Sequence, residues 1–110
     1  MNPAALEAML ARGQDNALLR FTLGQLYLQA GEAARAIEHL QRAVEQDAQY
    51  SAAWKLLGRA RHAAGDAAAA VSAFEHGIAI ARDKGDLQAM KEMQVFCKRA
   101  RRDADAAPGH

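Results

Sequence analysis

Residues 17–50 read ALLRFTLGQLYLQAGEAARAIEHLQRAVEQDAQY; directly behind them, residues 51–84 read SAAWKLLGRARHAAGDAAAAVSAFEHGIAIARDK. Laid over one another at an offset of 34, they share Leu23/Leu57, Gly24/Gly58, Ala30/Ala64, Gly31/Gly65, Ala33/Ala67, Ala34/Ala68 and Ala36/Ala70. Ile37/Val71, Leu40/Phe74, Ala43/Gly77 and Val44/Ile78 match in kind. A fixed period of this length marks a repeat array, in which each unit buries its apolar face only by stacking on its neighbours.

The spacing has a physical reason. Gly24 and Gly58 fall in the middle of helical stretches, where glycine costs about 1 kcal/mol against alanine. Close approach of a paired helix offsets that cost, since glycine has no side chain to hold the neighbour away. Ala36, Ala43, Ala70 and Gly77 are the small residues expected on the facing helix. Leu23, Leu40, Val44, Phe74 and Ile78 then interlock around them. Gly31 and Gly65 fall between helices, where a left-handed residue ends the first one.

These residues carry a resemblance. Trp54-x-x-Leu57-Gly58, followed by Ala70 and Phe74, is similar to the signature of the tetratricopeptide repeat (TPR), a helix-turn-helix unit. The first copy carries Leu23-Gly24-x-x-Tyr27, then Ala36, Leu40 and Ala43. Arg20 stands where the family has Trp, Arg61 where it has Tyr, and Ala48 and Arg82 where it has Pro. The whole sequence resembles small stand-alone TPR proteins of bacteria. The resemblance implies an all-α fold, a right-handed α-α superhelix of about six antiparallel helices.

The flanks extend the period. Asn2 is a good N-cap and Pro3 a good first helical residue. The stripe Leu6, Met9, Leu10 lands, 34 residues on, at Leu40, Ala43 and Val44. Residues 1–16 therefore read as the second half of a repeat. Asp15 or Asn16 caps the next helix, and helices are expected near 17–30, 33–46, 51–64 and 67–82. Gly85 ends the array, and Asp86 caps a last helix over 87–102. The same offset from Leu57 and Gly58 gives Lys91 and Glu92, the polar outer face a terminal unit needs. The expected organisation is one domain over 1–102: a half repeat (1–16), repeats 17–50 and 51–84, and a capping helix (85–102). Residues 103–110 are expected to be a disordered tail.

Composition narrows the function classes. A net charge of +1 argues against a nucleic-acid or membrane-surface binder. One cysteine, Cys97, forms no internal disulfide, so nothing points to export. No leader and no apolar run of about 18 residues is visible, and a cytoplasmic protein is expected. His39, His62, His76 and His110 form no i, i+4 pair, whereas a metal site needs three or four converging ligands. No phosphate loop or nucleophile elbow occurs. No catalytic residue, cofactor or metal is expected, and the protein reads as a non-enzyme. The run Lys98-Arg99-Ala100-Arg101-Arg102 reads as cations opposing the dipole at a helix C-terminus.

The resemblance implies a concave wall lined by the first helix of each pair, which holds an extended peptide or a partner helix. The matching residues are Phe21, Gln25 and Leu28, then Lys55, Arg59 and His62, then Ala89, Met93 and Phe96. The expected function is a protein–protein interaction module, an adaptor or scaffold. Its cationic middle row suits a peptide with acidic side chains or a free C-terminal carboxylate. The lysine of the family's chaperone-peptide clamp is missing at Phe21 and Gln25, so that clamp is not expected. The alternative is a self-associating module, a monomer in equilibrium with a weak homodimer joined through its terminal helices.

Overall fold

The computed structural model describes residues 2–106. Among them are six helices and no strand: α1 (Pro3–Ala11), α2 (Ala17–Gln29), α3 (Ala33–Gln46), α4 (Ser51–Ala63), α5 (Ala67–Asp83) and α6 (Leu87–Ala106). Polar residues capture the free N–H groups at most of the starts. Asn2 accepts from Ala4 N–H at 2.9 Å, Asn16 from Leu19 N–H at 2.9 Å and Asp66 from Ala69 N–H at 3.1 Å. Asp86 accepts from Ala89 N–H at 3.1 Å. These contacts satisfy donors that the helix itself cannot. Of the two cap candidates for α2, Asn16 takes the role, while Asp15 turns to Arg20.

Gly31 ends α2 with φ +78°, a conformation that residues with a Cβ avoid. It lets Glu32 N–H reach back to Tyr27 C=O at 2.9 Å, closing the Schellman pattern. Gly65 repeats this after α4, with Asp66 N–H on Arg61 C=O at 3.0 Å.

The hairpins close where the sequence leaves side chains out. A Cβ on Gly24 would collide with the Leu40 side chain, and one on Gly58 would lie 2.5–2.7 Å from atoms of the Phe74 ring. Leu23, Leu40, Leu57 and Phe74 are all fully buried. Ala36, Ala43, Ala70 and Gly77 are buried as well, so the small residues do sit in the seams. α1 contributes no buried residue, but Leu6, Met9 and Leu10 pack against the core of α2 and α3.

The last helix departs from the period. Ser51 opens α4 34 residues after Ala17 opens α2, whereas Leu87 opens α6 36 residues after Ser51. α5 has 17 residues against 14 in α3, and the connection that follows it is one residue shorter. Met93 therefore takes the place of Leu57, fully buried, and its Sδ occupies the space a Cβ on Gly77 would need. Gln94 stands where Gly58 stood. This corrects the placement of Lys91 and Glu92 at the Leu-Gly positions.

The tail is corrected too. Residues 103–106 continue α6 as helix, with Asp103 on His62 and Ala104 half-buried. Residues 107–110 of the expected tail lie outside the described residues.

Candidate interaction surface

α2, α4 and α6 are the first helices of successive pairs, and α4 lies between the other two. Their neighbouring flanks decide what the expected wall presents. On α2, Phe21 stacks on Tyr50 with ring centroids 4.9 Å apart. Gln25 is exposed, and Leu28 is half-buried against the core. The α2 trio lines neither of the clefts between α4 and α6.

The α4 trio meets α6. Lys55 Nζ donates to Glu92 Oε1 at 3.1 Å. That bond, with a second from Gln88, lowers the Glu92 carboxyl below its usual value. The Arg59 guanidinium carbon lies 5.2 Å from the centre of the Phe96 ring, within range of a cation–π contact. His62 Nε2 meets Asp103 Oδ2 at 2.5 Å. Lys55, Arg59 and His62 thus each have a partner on α6. Of the three, only Arg59 meets a ring instead of a carboxylate.

Arg59, His62, Ala63, Phe96 and Arg99 line one cleft of about 350 Å³. Lys55 belongs to a second one of about 260 Å³, with Asp86 and Glu92. Met93 underlies this second cleft and offers no exposed surface to the wall. It is 0% exposed and lies under Gly77, because the register shift turns it into the core. Ala89 is half-buried for the same reason. The ridge that α6 offers to α4 is Glu92, Phe96, Arg99 and Asp103. Sequence reasoning found only Phe96 of these. Their spacing of 4, 3 and 4 is a helical face, legible once the two-residue shift is known.

A second polar cluster sits at the other end. Glu7 Oε1 accepts from Tyr27 Oη at 2.9 Å and lies 3.1 Å from His39 Nε2. Arg20 donates to His39 Nδ1 at 3.1 Å and makes a two-pronged pair with Asp15 at 2.9 Å. Burial, and then the Glu7 carboxylate, raise the Tyr27 phenol. The Arg20 hydrogen bond, and then Gln46, hold the Asp15 carboxyl far below the usual range. Arg20 occupies the tryptophan position of its repeat, so a charged clasp replaces an aromatic wedge between α2 and α3. Among the described residues no group of three His, Cys, Asp or Glu could hold a metal ion, and no helix is long and apolar enough to cross a membrane.

A family model described as tetratricopeptide repeat matches residues 4–60 and 27–93. The chain belongs to the tetratricopeptide repeat family. It is 65% identical over 94 residues to the TPR repeat-containing protein PA0015 of Pseudomonas aeruginosa, covering 86% of this chain and 90% of the relative. The solution structure of protein BPP2914 of Bordetella parapertussis superposes with a TM-score of 0.80 at 47% identity. It covers 94% of this chain and 90% of that one. A TPR domain protein of Salinibacter ruber shares the fold at TM-score 0.75 and 24% identity, over 86% and 96% of the two chains. The architecture is thus the all-α TPR superhelix, in a small protein of bacterial type. The TPR fold supports a protein–protein interaction module in general, and the family is generally non-catalytic.

Proposed function

We propose that this TPR protein binds a short carboxylate-bearing segment, an acidic peptide or a free C-terminus, on the face shared by α4 and α6. The observation that carries this reading is Arg59. Its guanidinium is exposed, rests on the Phe96 ring and has no carboxylate of its own among the described residues. A guanidinium held over a ring keeps its N–H edge free for a bidentate carboxylate. Arg99 lines the same cleft and adds a second cation. Lys55 and His62 are secondary, because an incoming carboxylate must displace Glu92 or Asp103 to reach them. Phe21, Gln25 and Leu28 would flank the segment as it continues along α2.

Reversal of Arg59 and Arg99 to Glu is the test, with Lys55→Glu/Arg59→Glu as the companion variant. Both are expected to weaken binding of an acidic peptide at least about tenfold. The Arg59/Arg99 variant should melt as the wild type does, whereas Lys55→Glu also sets a second carboxylate against Glu92 and should lower the melting temperature slightly. Equal affinity for wild type and variants rejects the reading. Self-association through α6 is the weaker alternative. Exposed Val95 favours it, but Lys91, Lys98 and Arg102 surround that residue and would repel their copies across a two-fold contact.

A further inference from the structure

On the flank away from α4, α5 and α6 leave an open cleft of about 590 Å³. Its apolar lining is Ile78 and Cys97, with Ala79 at the exposed edge. Its rim is cationic: Arg82, Lys98, Arg101 and Arg102 against a single carboxylate, Glu75, which is engaged by Arg101. Among the described residues no carboxylate lies within ion-pair distance of Arg82, Lys98 or Arg102. Neutralising a helix end is the role expected of the basic run. α6 instead runs on to Ala106, so that role does not explain the first residues of the run.

The cleft has a place in the repeat. α2 receives α3 at Gly24, and α4 receives α5 at Gly58. The corresponding residue of α6 is Gln94, and it lines this cleft. The groove is therefore where a helix paired with α6 would lie, but a glycine-depth seam is closed there. An occupant rests higher, on the rim.

We propose that the α5–α6 cleft docks an acidic amphipathic helix of a partner protein. Its apolar stripe covers Ile78 and Cys97, and its flanking carboxylates meet Arg82, Lys98 and Arg102. Charge complementarity selects this occupant. A second copy's α1 fits poorly. Its one carboxylate, Glu7, is already bonded to Tyr27 and His39. Leu6, the counterpart of Leu40, would meet Gln94 instead of a glycine. Nucleic acid fits poorly too, since no aromatic residue lines the cleft for base stacking. The site is separate from the Arg59 cleft, so the two proposals fail independently.

The probe is a designed helical peptide of about three heptads with a leucine stripe flanked by glutamates. A control peptide has lysine in place of each glutamate. The full-length protein should bind the acidic peptide, with amide shifts centred on Ile78, Arg82, Gln94 and Lys98. Arg82→Glu/Lys98→Glu should weaken it at least about tenfold. Arg82→Gln/Lys98→Gln should give a smaller loss, and Arg59→Glu none. Equal binding of the lysine peptide, or shifts confined to Arg59 and Phe96, would overturn the proposal. So would displacement of the peptide by single-stranded DNA at lower concentration. A concentration-dependent dimer abolished by the Arg82 and Lys98 reversals would assign the cleft to a second copy. Tighter peptide binding after truncation beyond Ala106 would assign it to the protein's own end.

Discussion

His39 Nδ1 accepts a hydrogen bond from the Arg20 guanidinium at 3.1 Å, and this contact sets the tautomer of the ring. A guanidinium only donates, so Nδ1 carries the lone pair and Nε2 carries the proton. That proton points at Glu7 Oε1, 3.1 Å away on α1. Tyr27 stacks on the ring at 5.5 Å and donates to the same oxygen. α1, with no buried residue, is held to α2 and α3 partly by this clasp. Glu7→Ala leaves the buried Tyr27 hydroxyl and His39 N–H without their acceptor, at about 1–3 kcal/mol. Urea denaturation checks the size of the loss. Hydrogen exchange should show α1 opening first, ahead of α4 and α5.

The two seam glycines should respond differently to alanine. At Gly24 the colliding atoms are Leu40 Cγ and its methyls, on a side chain that is fully buried but smaller and not stacked on another ring. At Gly58 they belong to the Phe74 ring, fully buried too and stacked 5.9 Å from Phe96. Overpacking costs about 1–3 kcal/mol, against about 1 kcal/mol gained in helix propensity. Gly58→Ala is therefore expected to destabilise more than Gly24→Ala. Adding Phe74→Leu to Gly58→Ala should recover part of the loss, measured as a double-mutant cycle. Leucine at either glycine should cost more than alanine does.

Acid should loosen the same end of the molecule. The Asp15 carboxyl is depressed in the folded state by Arg20 and Gln46. In the unfolded state it titrates near the ordinary value, about 4. Its stabilisation is therefore complete above that pH and disappears as pH falls through the folded value. Asp15→Asn should flatten the fall in melting temperature below about pH 4. Glu92, lowered by Lys55, should act in the same direction. Circular dichroism melts across the acid range give the comparison.

Glu92 and Asp103 occupy the cations that an incoming carboxylate would use. Glu92→Gln with Asp103→Asn releases His62 in the Arg59 cleft and Lys55 in the cleft beside it. An acidic peptide should then bind about two- to tenfold tighter. Stability should change little, since both pairs are partly exposed. Calorimetric titration of wild type and variant decides it.

Much of this arrangement is legible along the sequence. The seam glycines, their large partners and the left-handed Gly31 and Gly65 follow from repeat spacing, and all four glycines stand as read. The wall is less legible. Arg59, His62 and Phe96 line one cleft, whereas Met93 is core and Arg99 lines that cleft unforeseen. That error has one source: carrying an offset of 34 into a helix that begins 36 residues after its counterpart.

The sequence by itself determined the hairpins, because side-chain-free positions, their bulky partners and the turn glycines recur with a period set by the repeat. Only the tertiary structure decided which residues of α6 face α4, which face α5 and which are buried. Two residues turn a helix by roughly 200°. A small change in the length of α5 and the connection after it therefore exchanges core for surface. The stripe Met90, Met93, Cys97 and Ala100 marks the apolar face of α6, but nothing in it says which helix that face or its flanks will meet.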